Sequence, residues 1–257
     1  MKTLLVSLSV LFGLSLSALA DDGTDQNHDP QVTFRSVVAS KYLAFGSGGM
    51  LYDKPAIQSD LFLSFHDGLY LDLWHSAPFR GYNHNFGTEQ DFGVGWSGPL
   101  SALGLKSQPS DTTLDIGVTY FDEPSLSVLG AQDIIYSHVK LSKAFKWTTI
   151  NGCYENYVAM PRSPYRGGSL FSAGASNSAS FFKDLTSASV SLSLVYDTGG
   201  FGLDSGLLFR GSVELDWKLS KRLTMVMPQV NYYVPVTVHD SRPSFDKVVF
   251  GGLGYQF

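Results

Sequence analysis

The chain has 257 residues, 44% of them hydrophobic and 16% charged, with 18 basic against 23 acidic side chains. The apolar and aromatic content excludes a disordered chain, the single cysteine excludes a disulfide scaffold, and the acidic balance argues against a nucleic-acid partner. After residue 20, no apolar run approaches the roughly 18 residues that a membrane-spanning helix requires. These limits favour a β-rich protein.

Residues 1–20 have the three parts of a secretory signal peptide. Lys2 supplies the positive start, residues 4–16 form the apolar stretch, and residues 18–20 read Ala-Leu-Ala, a typical cleavage site. We therefore expect export with removal of the signal peptide, followed by a polar periplasmic tail over residues 21–30. No cysteine follows the cleavage site, so a lipid anchor is not expected.

From residue 31 onward, segments of about ten residues alternate between apolar and polar side chains, most clearly in residues 113–121 and 187–197. Successive side chains of a β-strand point to opposite faces, so each segment has one apolar wall and one polar wall. We predict twelve such strands. They are residues 31–45, 56–66, 68–77, 88–98, 112–122, 132–143, 146–160, 169–182, 185–197, 206–219, 221–236 and 246–257.

The links between these segments also alternate, with short links on one side and long links on the other, apart from the long link 99–111 on the short side. Bacterial outer-membrane barrels have an even number of antiparallel strands, short periplasmic turns and longer outer loops. The pattern therefore predicts an all-β fold, a transmembrane antiparallel up-and-down β-barrel of about 12 strands over residues 31–257.

The end of the chain distinguishes this barrel from a soluble β-sandwich, whose strands would also alternate. Every second residue up to a C-terminal Phe belongs to one face, namely Val249, Gly251, Leu253, Tyr255 and Phe257. This pattern resembles the signal strand by which the barrel-assembly machinery of Gram-negative bacteria recognises its clients. A soluble protein gains nothing from an exposed terminal Phe. We expect an outer-membrane location, with outer-membrane lipid, lipopolysaccharide and the assembly machinery as partners.

Three short motifs near the start add a family resemblance. Residues 40–46 read SKYLAFG, residues 55–58 read PAIQ, and residues 68–74 read GLYLDLW. They are similar to the opening of the Gcw_chp family of Proteobacterial outer-membrane proteins, in which an Arg usually stands where this chain has Phe45. The resemblance implies an outer-membrane barrel and brings no established activity.

These motifs also have a purely structural interpretation. Tyr42 and Phe45 are expected where the first strand leaves the membrane, within the aromatic girdle that marks the interfaces of such barrels. Pro55 suits the start of a strand, where no ladder donor is needed. We favour this interpretation over a binding site.

Charged residues fall on the polar walls, which predicts a polar lumen. The lumen-facing set comprises Arg35, Lys41, Asp60, Asp72, Glu89, Asp91, Asp115, His138, Lys140, Glu155, Arg210, Glu214, Asp216 and Lys218. Its acidic bias favours cations or neutral polar solutes, and pairing of Arg210 with Glu214 would offset part of that bias. Twelve strands lie between small barrels filled by side chains and open porins. We expect a narrow passive channel for small hydrophilic solutes, with a closed structural or surface-interaction barrel as the alternative.

An outer-membrane lipid-modifying enzyme is a weaker alternative. A nucleophile and its base on one strand would share a wall, whereas His75 adjoins Ser76 and His138 adjoins Ser137. Metal-ligand spacings are also absent, so we expect no metal site and no cofactor. Cys153 is expected to be a small buried side chain on the inner wall.

The link over residues 161–168 carries Arg162, Tyr165 and Arg166. It is interpreted either as an ordinary solvated loop or as a contact for lipopolysaccharide phosphates, which arginine binds by paired hydrogen bonds.

Overall fold

The computed structural model describes residues 30–43, 50–52, 54–78, 89–104, 111–122, 133–161, 163, 165–182, 185–200, 204–237 and 246–256. The predicted signal peptide, nearly all of the predicted tail, Phe45 and Phe257 lie outside the described residues. So do the side chains of Val249 and Gly251.

Strands make up nearly all of the described chain. They are β1 (Gln31–Ala39), β2 (Tyr42–Leu43), β3 (Met50–Tyr52), β4 (Ala56–Ser64), β5 (Leu69–Pro78), β6 (Glu89–Pro99), β7 (Thr112–Asp122), β8 (Ile134–Ala144), β9 (Thr149–Ala159), β10 (Gly168–Phe181), β11 (Thr186–Asp197), β12 (Gly206–Lys218), β13 (Leu223–Pro235) and β14 (Asp246–Gln256). A short 3₁₀ helix, Leu100–Leu103, follows β6. No helix among the described residues is long and apolar enough to cross a membrane.

Twelve of the strands in the described residues close into one antiparallel barrel, in which each strand pairs with the next along the chain and β1 pairs with β14. The remaining two, β2 and β3, form a small separate hairpin. We call the end where β1 begins the turn end, because links of four residues lie there, and the opposite end the loop end. The predicted barrel of about 12 antiparallel strands is confirmed.

One predicted strand is shorter in the structure, and one predicted link contains a helical turn. The first was expected to run over residues 31–45, but β1 ends at Ala39 and the chain then leaves the wall to form the β2–β3 hairpin. The long link 99–111 begins with the 3₁₀ helix, which ends at Gly104 with a positive φ of 81°. The alternation of apolar and polar side chains cannot predict either feature, because it applies only to residues that belong to the barrel strands.

The outer surface of the barrel is apolar. Leu192 is 57% exposed and Val118 is 46% exposed, whereas their neighbours Ser191 and Thr119 point inward. At the turn end, several aromatic side chains are exposed, namely Phe65, Phe145, Trp147, Phe181, Phe182 and Trp217. An apolar band bordered by aromatic residues is what a transmembrane barrel presents to lipid.

A cluster of buried apolar residues lies inside the barrel at its loop end, and we call this cluster the loop-end core. All are among the last three residues of their strands at that end. They are Ala39, Phe121, Ile134, Tyr157, Leu170, Val195, Leu208 and Tyr233. The sequence analysis named only the charged residues of the lumen and did not predict this apolar cluster, which shares the loop end with the buried acidic side chains Glu89, Asp122, Asp133 and Asp197. Only charged residues were predicted to face the lumen. The apolar residues that lie on the same face near the strand ends were not considered.

Candidate functional site in the barrel interior

A cavity of about 680 Å³ occupies the barrel interior. Eleven of the fourteen residues that were expected to face the lumen border it, and these are Arg35, Lys41, Asp60, Asp72, Glu89, Asp91, Asp115, His138, Lys140, Glu155 and Arg210. Glu214, Asp216 and Lys218 do not border the cavity. They lie further along β12 toward the turn end.

The strand register brings the inward side chains of neighbouring strands side by side. Arg35 on β1 lies opposite Asp60 on β4, which lies opposite Trp74 on β5, which lies opposite Asp91 on β6. Such directly opposed residues are the closest cross-strand neighbours in a sheet. One sector of the wall therefore alternates between carboxylates and an aromatic ring.

A second row runs closer to the loop end. Gln58 on β4 lies opposite Ser76 on β5, and Ser76 lies opposite Glu89 on β6. All three side chains are more than nine-tenths buried. Three strands thus present a polar row directly beside the row that contains Trp74.

Asp60 and Asp72 form a close pair of carboxyl groups on adjacent strands. The two groups interact with each other. One oxygen of each is buried and has no hydrogen-bond partner among the described residues. Close carboxyl groups repel when both are ionised, so this part of the wall attracts protons or other cations.

Arg35 on β1 is hydrogen-bonded to side chains of β12 and β13, which lie beyond the neighbouring strand β14. Its Nη2 donates to Oε2 of Glu214 and to Oε1 of Gln229, both at 2.7 Å. The expected partner of Glu214 was Arg210, so that pairing is corrected. The Nε of Arg210 instead donates to Oγ of Ser193 at 3.4 Å. The stagger between β1 and β12 around the closed barrel brings Arg35 to Glu214, and that stagger is not visible within a single strand.

Tyr70 crosses the inner wall toward β7 and β8. Its hydroxyl donates to Oδ1 of Asp115 at 3.0 Å and lies 3.3 Å from Nε2 of His138. The ring passes over Gly95 and Gly117, and a Cβ at Gly117 would lie 2.6 Å from the Tyr70 hydroxyl. These two glycines leave the room that Tyr70 needs.

This cluster of tyrosine, histidine and aspartate differs from a catalytic relay. In a relay, one imidazole nitrogen faces the nucleophile and the other faces the orienting carboxylate. Here Tyr70 and Asp115 both contact Nε2 of His138, with Asp115 Oδ1 at 3.2 Å. The geometry suits a structural hydrogen-bond network across the wall.

Three of the motif residues near the start of the chain, Tyr42, Gln58 and Trp74, point into the barrel. Tyr42 is 7% exposed, donates to Oε2 of Glu89 at 2.5 Å, and has its ring centroid 5.5 Å from that of Trp74. Gln58 and Trp74 border the cavity. The expectation that Tyr42 belongs to the membrane girdle is therefore wrong. After Ala39 the chain leaves the wall and folds back over the interior, which strand parity does not report.

The sequence analysis also missed Gln58, Trp74 and Tyr136 as cavity-lining residues. Trp74 lies two positions from Asp72, and Gln58 lies two positions from Asp60, so each shares a strand face with a predicted lumen-facing residue. The alternation could therefore have placed both Trp74 and Gln58 in the lumen. The selection was restricted to charged side chains, and it therefore passed over neutral polar and aromatic residues on the same face.

The link between β9 and β10 adds a side chain to the loop-end core. Tyr165 packs against that core and meets the ring of Phe121 edge-on, with centroids 6.5 Å apart. Arg166 is exposed, and Arg162 lies outside the described residues. Tyr165 thus covers part of the loop-end core, and the contact of this link with lipopolysaccharide stays a prediction.

Cys153 lies on the inner wall, as parity indicated, but it is only partly buried and borders the cavity. The expectation of a small buried side chain is wrong in that respect. Among the described residues, no group of three or more His, Cys, Asp and Glu side chains is placed to hold a metal ion.

The family model described as "Bacterial protein of unknown function (Gcw_chp)" matches residues 28–219. The chain belongs to the Gcw_chp family. The match runs from the end of the tail past β12, so it covers far more than the three opening motifs. No curated protein matches the sequence of this Gcw_chp member.

Solved structures share its fold. A KdgM porin has a TM-score of 0.53 at 10% identity, covering 88% of this chain and 99% of its own. A NanC porin has a TM-score of 0.52 at 11% identity, covering 88% and 100% respectively. A structure described as a bacterial polysaccharide outer membrane secretin has a TM-score of 0.50 at 5% identity, covering 91% and 99%. At these identities the likeness shows the fold alone, that of a porin-like outer-membrane barrel.

Proposed function

We propose that the protein is a narrow passive channel for small hydrophilic solutes in the outer membrane of a Gram-negative bacterium, to which a cleaved signal peptide directs it. The observation that supports this function is the cavity of about 680 Å³, which is bordered by charged side chains from most of the barrel strands. A barrel that serves only as an anchor gains nothing from buried charges, since each one costs free energy unless it is paired.

The charge of the cavity supports a preference for cations. Six carboxylates border it, namely Asp60, Asp72, Glu89, Asp91, Asp115 and Glu155. Four permanent cations face them, namely Arg35, Lys41, Lys140 and Arg210. Screening acts over about 8 Å at physiological ionic strength, which is close to the half-width of such a pore. The preference is therefore expected to be modest.

A closed structural or surface-interaction barrel is the second candidate, and the loop-end core favours it. Apolar side chains lie in the interior at that end, and Tyr165 of the β9–β10 link packs against them. The two functions differ in whether water and ions pass this section. Outer-membrane lipid, lipopolysaccharide and the barrel-assembly machinery are partners under either function. No catalytic role follows from either one, because the most enzyme-like cluster, around His138, lacks the geometry of a relay.

Conductance of the refolded protein in a planar bilayer tests the proposal. The channel predicts discrete current steps and, under a salt gradient, a reversal potential of the sign that cation preference gives. Complete absence of current from protein that migrates as a folded barrel would contradict the channel and favour the closed barrel. An anion-selective current would contradict the assigned charge preference.

A further inference from the structure

The chain that follows β1 turns into the barrel interior instead of running over its surface. β1 ends at Ala39, and β2 begins three residues later at Tyr42. Lys41 and Tyr42 both border the cavity, and Tyr42 is 7% exposed. We call residues 40–43 the inward segment. Connections between strands ordinarily lie on the surface, so the inward segment takes up space in the lumen that a surface link would leave free.

Tyr42 contacts strands that are not neighbours of β1. Its hydroxyl donates to Oε2 of Glu89 on β6 at 2.5 Å, and its ring centroid lies 5.5 Å from that of Trp74 on β5. In the closed sheet, β6 is three strands away from β1. Neighbouring strands are about 4.8 Å apart, so three steps correspond to roughly 14 Å along the wall. The contacts therefore hold the inward segment against a different part of the wall from the one it leaves.

Both partners of Tyr42 are fixed in the wall. Glu89 is 2% exposed and is the first residue of β6. Trp74 lies between Asp60 and Asp91 in the strand register. A hydrogen bond to a carboxylate is roughly twice as strong as one between neutral groups, and an aromatic pair adds further stabilisation. Tyr42 thus attaches the inward segment firmly, although this segment belongs to no strand of the barrel.

The three opening motifs of the sequence meet at this attachment. Tyr42 belongs to the first motif, Gln58 to the second and Trp74 to the third. All three border the same cavity. Strand pairing places Gln58 beside the row that contains Trp74, and the inward segment brings Tyr42 to that row. Residues that are far apart in the sequence therefore form one unit inside the barrel.

We infer that Tyr42 limits the access of solutes to the cavity, because its contacts with Glu89 and Trp74 keep the inward segment inside the lumen. Without these contacts the segment is free to move away from the wall, and the way into the cavity widens. This inference deepens the proposed function, on which it rests, because it names a residue that determines which solutes are small enough to pass. Access to the cavity is also measurable in a barrel that carries no current.

Cys153 provides a native probe of that access. It is the only cysteine of the chain, it is partly buried, and it borders the cavity. The reagent is a methanethiosulfonate that carries a trimethylammonium group, and mass spectrometry of the detergent-refolded protein follows its reaction with Cys153. Tyr42→Phe is expected to raise the rate about fivefold, which is the effect of losing one hydrogen bond of ordinary strength. A rate equal to that of the wild type would overturn the inference.

Tyr70 offers a matched control. It is 8% exposed, and its hydroxyl also donates to a carboxylate, that of Asp115 at 3.0 Å, but both residues belong to barrel strands. Tyr70→Phe is therefore expected to leave the rate of Cys153 modification close to that of the wild type. Each variant is first checked for the gel mobility of a folded barrel. Equal acceleration by Tyr70→Phe and Tyr42→Phe would show that general loosening of the interior, and not release of the inward segment, exposes the thiol.

Glu89→Gln tests the same contact from the other side. It weakens the acceptor of the Tyr42 hydroxyl and is expected to speed the reaction as well. Because both substitutions act on one hydrogen bond, the double variant is expected to react little faster than Tyr42→Phe alone. Effects that multiply in the double variant would contradict a shared contact.

Recordings of the same preparations in a planar bilayer keep the two proposals distinct. Faster reaction of Cys153 in Tyr42→Phe without current through any variant would support the role of Tyr42 and contradict the channel. Current through the wild type together with equal reaction rates would overturn the role of Tyr42 and leave the channel standing. Under both proposals, Tyr42→Phe has a higher single-channel conductance than the wild type, and Tyr70→Phe does not.

Discussion

The position of Tyr70 depends on two neighbouring residues, Gly95 and Gly117, that have no side chain. Its ring passes over Gly95 and Gly117, and its hydroxyl reaches Asp115 and His138 across two strands. A methyl group at Gly117 would lie 2.6 Å from the Tyr70 hydroxyl and 2.7 Å from the His138 ring. The hydrogen bonds and the glycines therefore form one unit that joins β5 to β8.

Gly117→Ala is expected to lower the free energy of unfolding by about 1–3 kcal/mol, because the added methyl group forces Tyr70 and His138 to move within a packed interior. Unfolding in urea, followed by loss of the mobility of the folded barrel, measures the change. The control is Gly211→Ala, where the nearest atom would be 3.5 Å away. A Gly117→Ala variant as stable as Gly211→Ala would show that Tyr70 does not require this space.

Glu214 affects the lumen through Arg35. Glu214→Gln removes the negative partner of an arginine that borders the cavity. The preference for cations is therefore expected to fall, and the reversal potential under a salt gradient should move toward zero. Asp216→Asn is expected to have a smaller effect, because Asp216 does not border the cavity. A larger shift for Asp216→Asn than for Glu214→Gln would contradict this pairing.

Each strand of the barrel has a lipid face and an inner face, and β11 offers a direct comparison of the two. Leu192, the seventh of twelve residues in β11, is 57% exposed, whereas the hydroxyl of the adjacent Ser191 is part-buried and lies 2.7 Å from that of Ser212 on β12. Leu192→Arg is expected to destabilise the barrel by about 2–4 kcal/mol, the cost of an arginine near the bilayer midplane. Ser191→Arg should cost less, because water and carboxylates are available to it. Folding titrations into lipid vesicles compare the two variants, and a greater loss for Ser191→Arg would invert the assigned faces.

The last strand carries the predicted assembly signal, which stays a prediction. Leu253 is exposed to the lipid side and Tyr255 is partly exposed, whereas Phe257 lies outside the described residues. Deletion of Phe257 is expected to lower the yield of assembled barrel in cells far more than Gln256→Ala. Heat-modifiable mobility of the membrane fraction measures that yield. Equal yields would mean that the alternating face of β14 is not what the machinery recognises.

Alternation and link length were sufficient to predict the strands, because they determine which side chains face lipid and at which end the chain turns. Alternation and link length could not predict the position of residues outside the barrel strands, as the inward position of Tyr42 in the β2–β3 hairpin shows. They also could not predict partners across the barrel. Arg35 and Glu214 are 179 residues apart, and the stagger that joins them is a property of the closed sheet.

For the molecule as a whole, the interior changes character along its axis. Charged groups border the central cavity, whereas the loop-end core places bulky apolar side chains at the same end as the buried carboxyl groups of Glu89, Asp122, Asp133 and Asp197. In the proposed channel, the bulk of the loop-end core is expected to limit conductance, whereas the charged groups that border the cavity are expected to set the preference for cations. These two properties are expected to respond to different substitutions.

Tyr165→Ala is expected to raise single-channel conductance while leaving the reversal potential nearly unchanged, because it widens the loop end without altering the charge of the cavity. Single-channel recording in a planar bilayer measures both quantities. Arg166→Ala, next to it on the exposed side of the link, serves as the control. A change in reversal potential with constant conductance would show that Tyr165 acts on selectivity instead.

Pairing of β1 with β14 gives the barrel a cyclic strand order that has no unique starting point. A linker of a few residues from β14 to β1 would resemble the four-residue links already present at the turn end. A circular permutant opened between β5 and β6 would therefore keep every strand pair while moving β14 away from the chain terminus. If this permutant refolds in detergent but fails to assemble in cells, the two requirements on β14 separate. Its pairing supports the closed sheet wherever it lies in the chain, whereas its recognition during biogenesis depends on its being last.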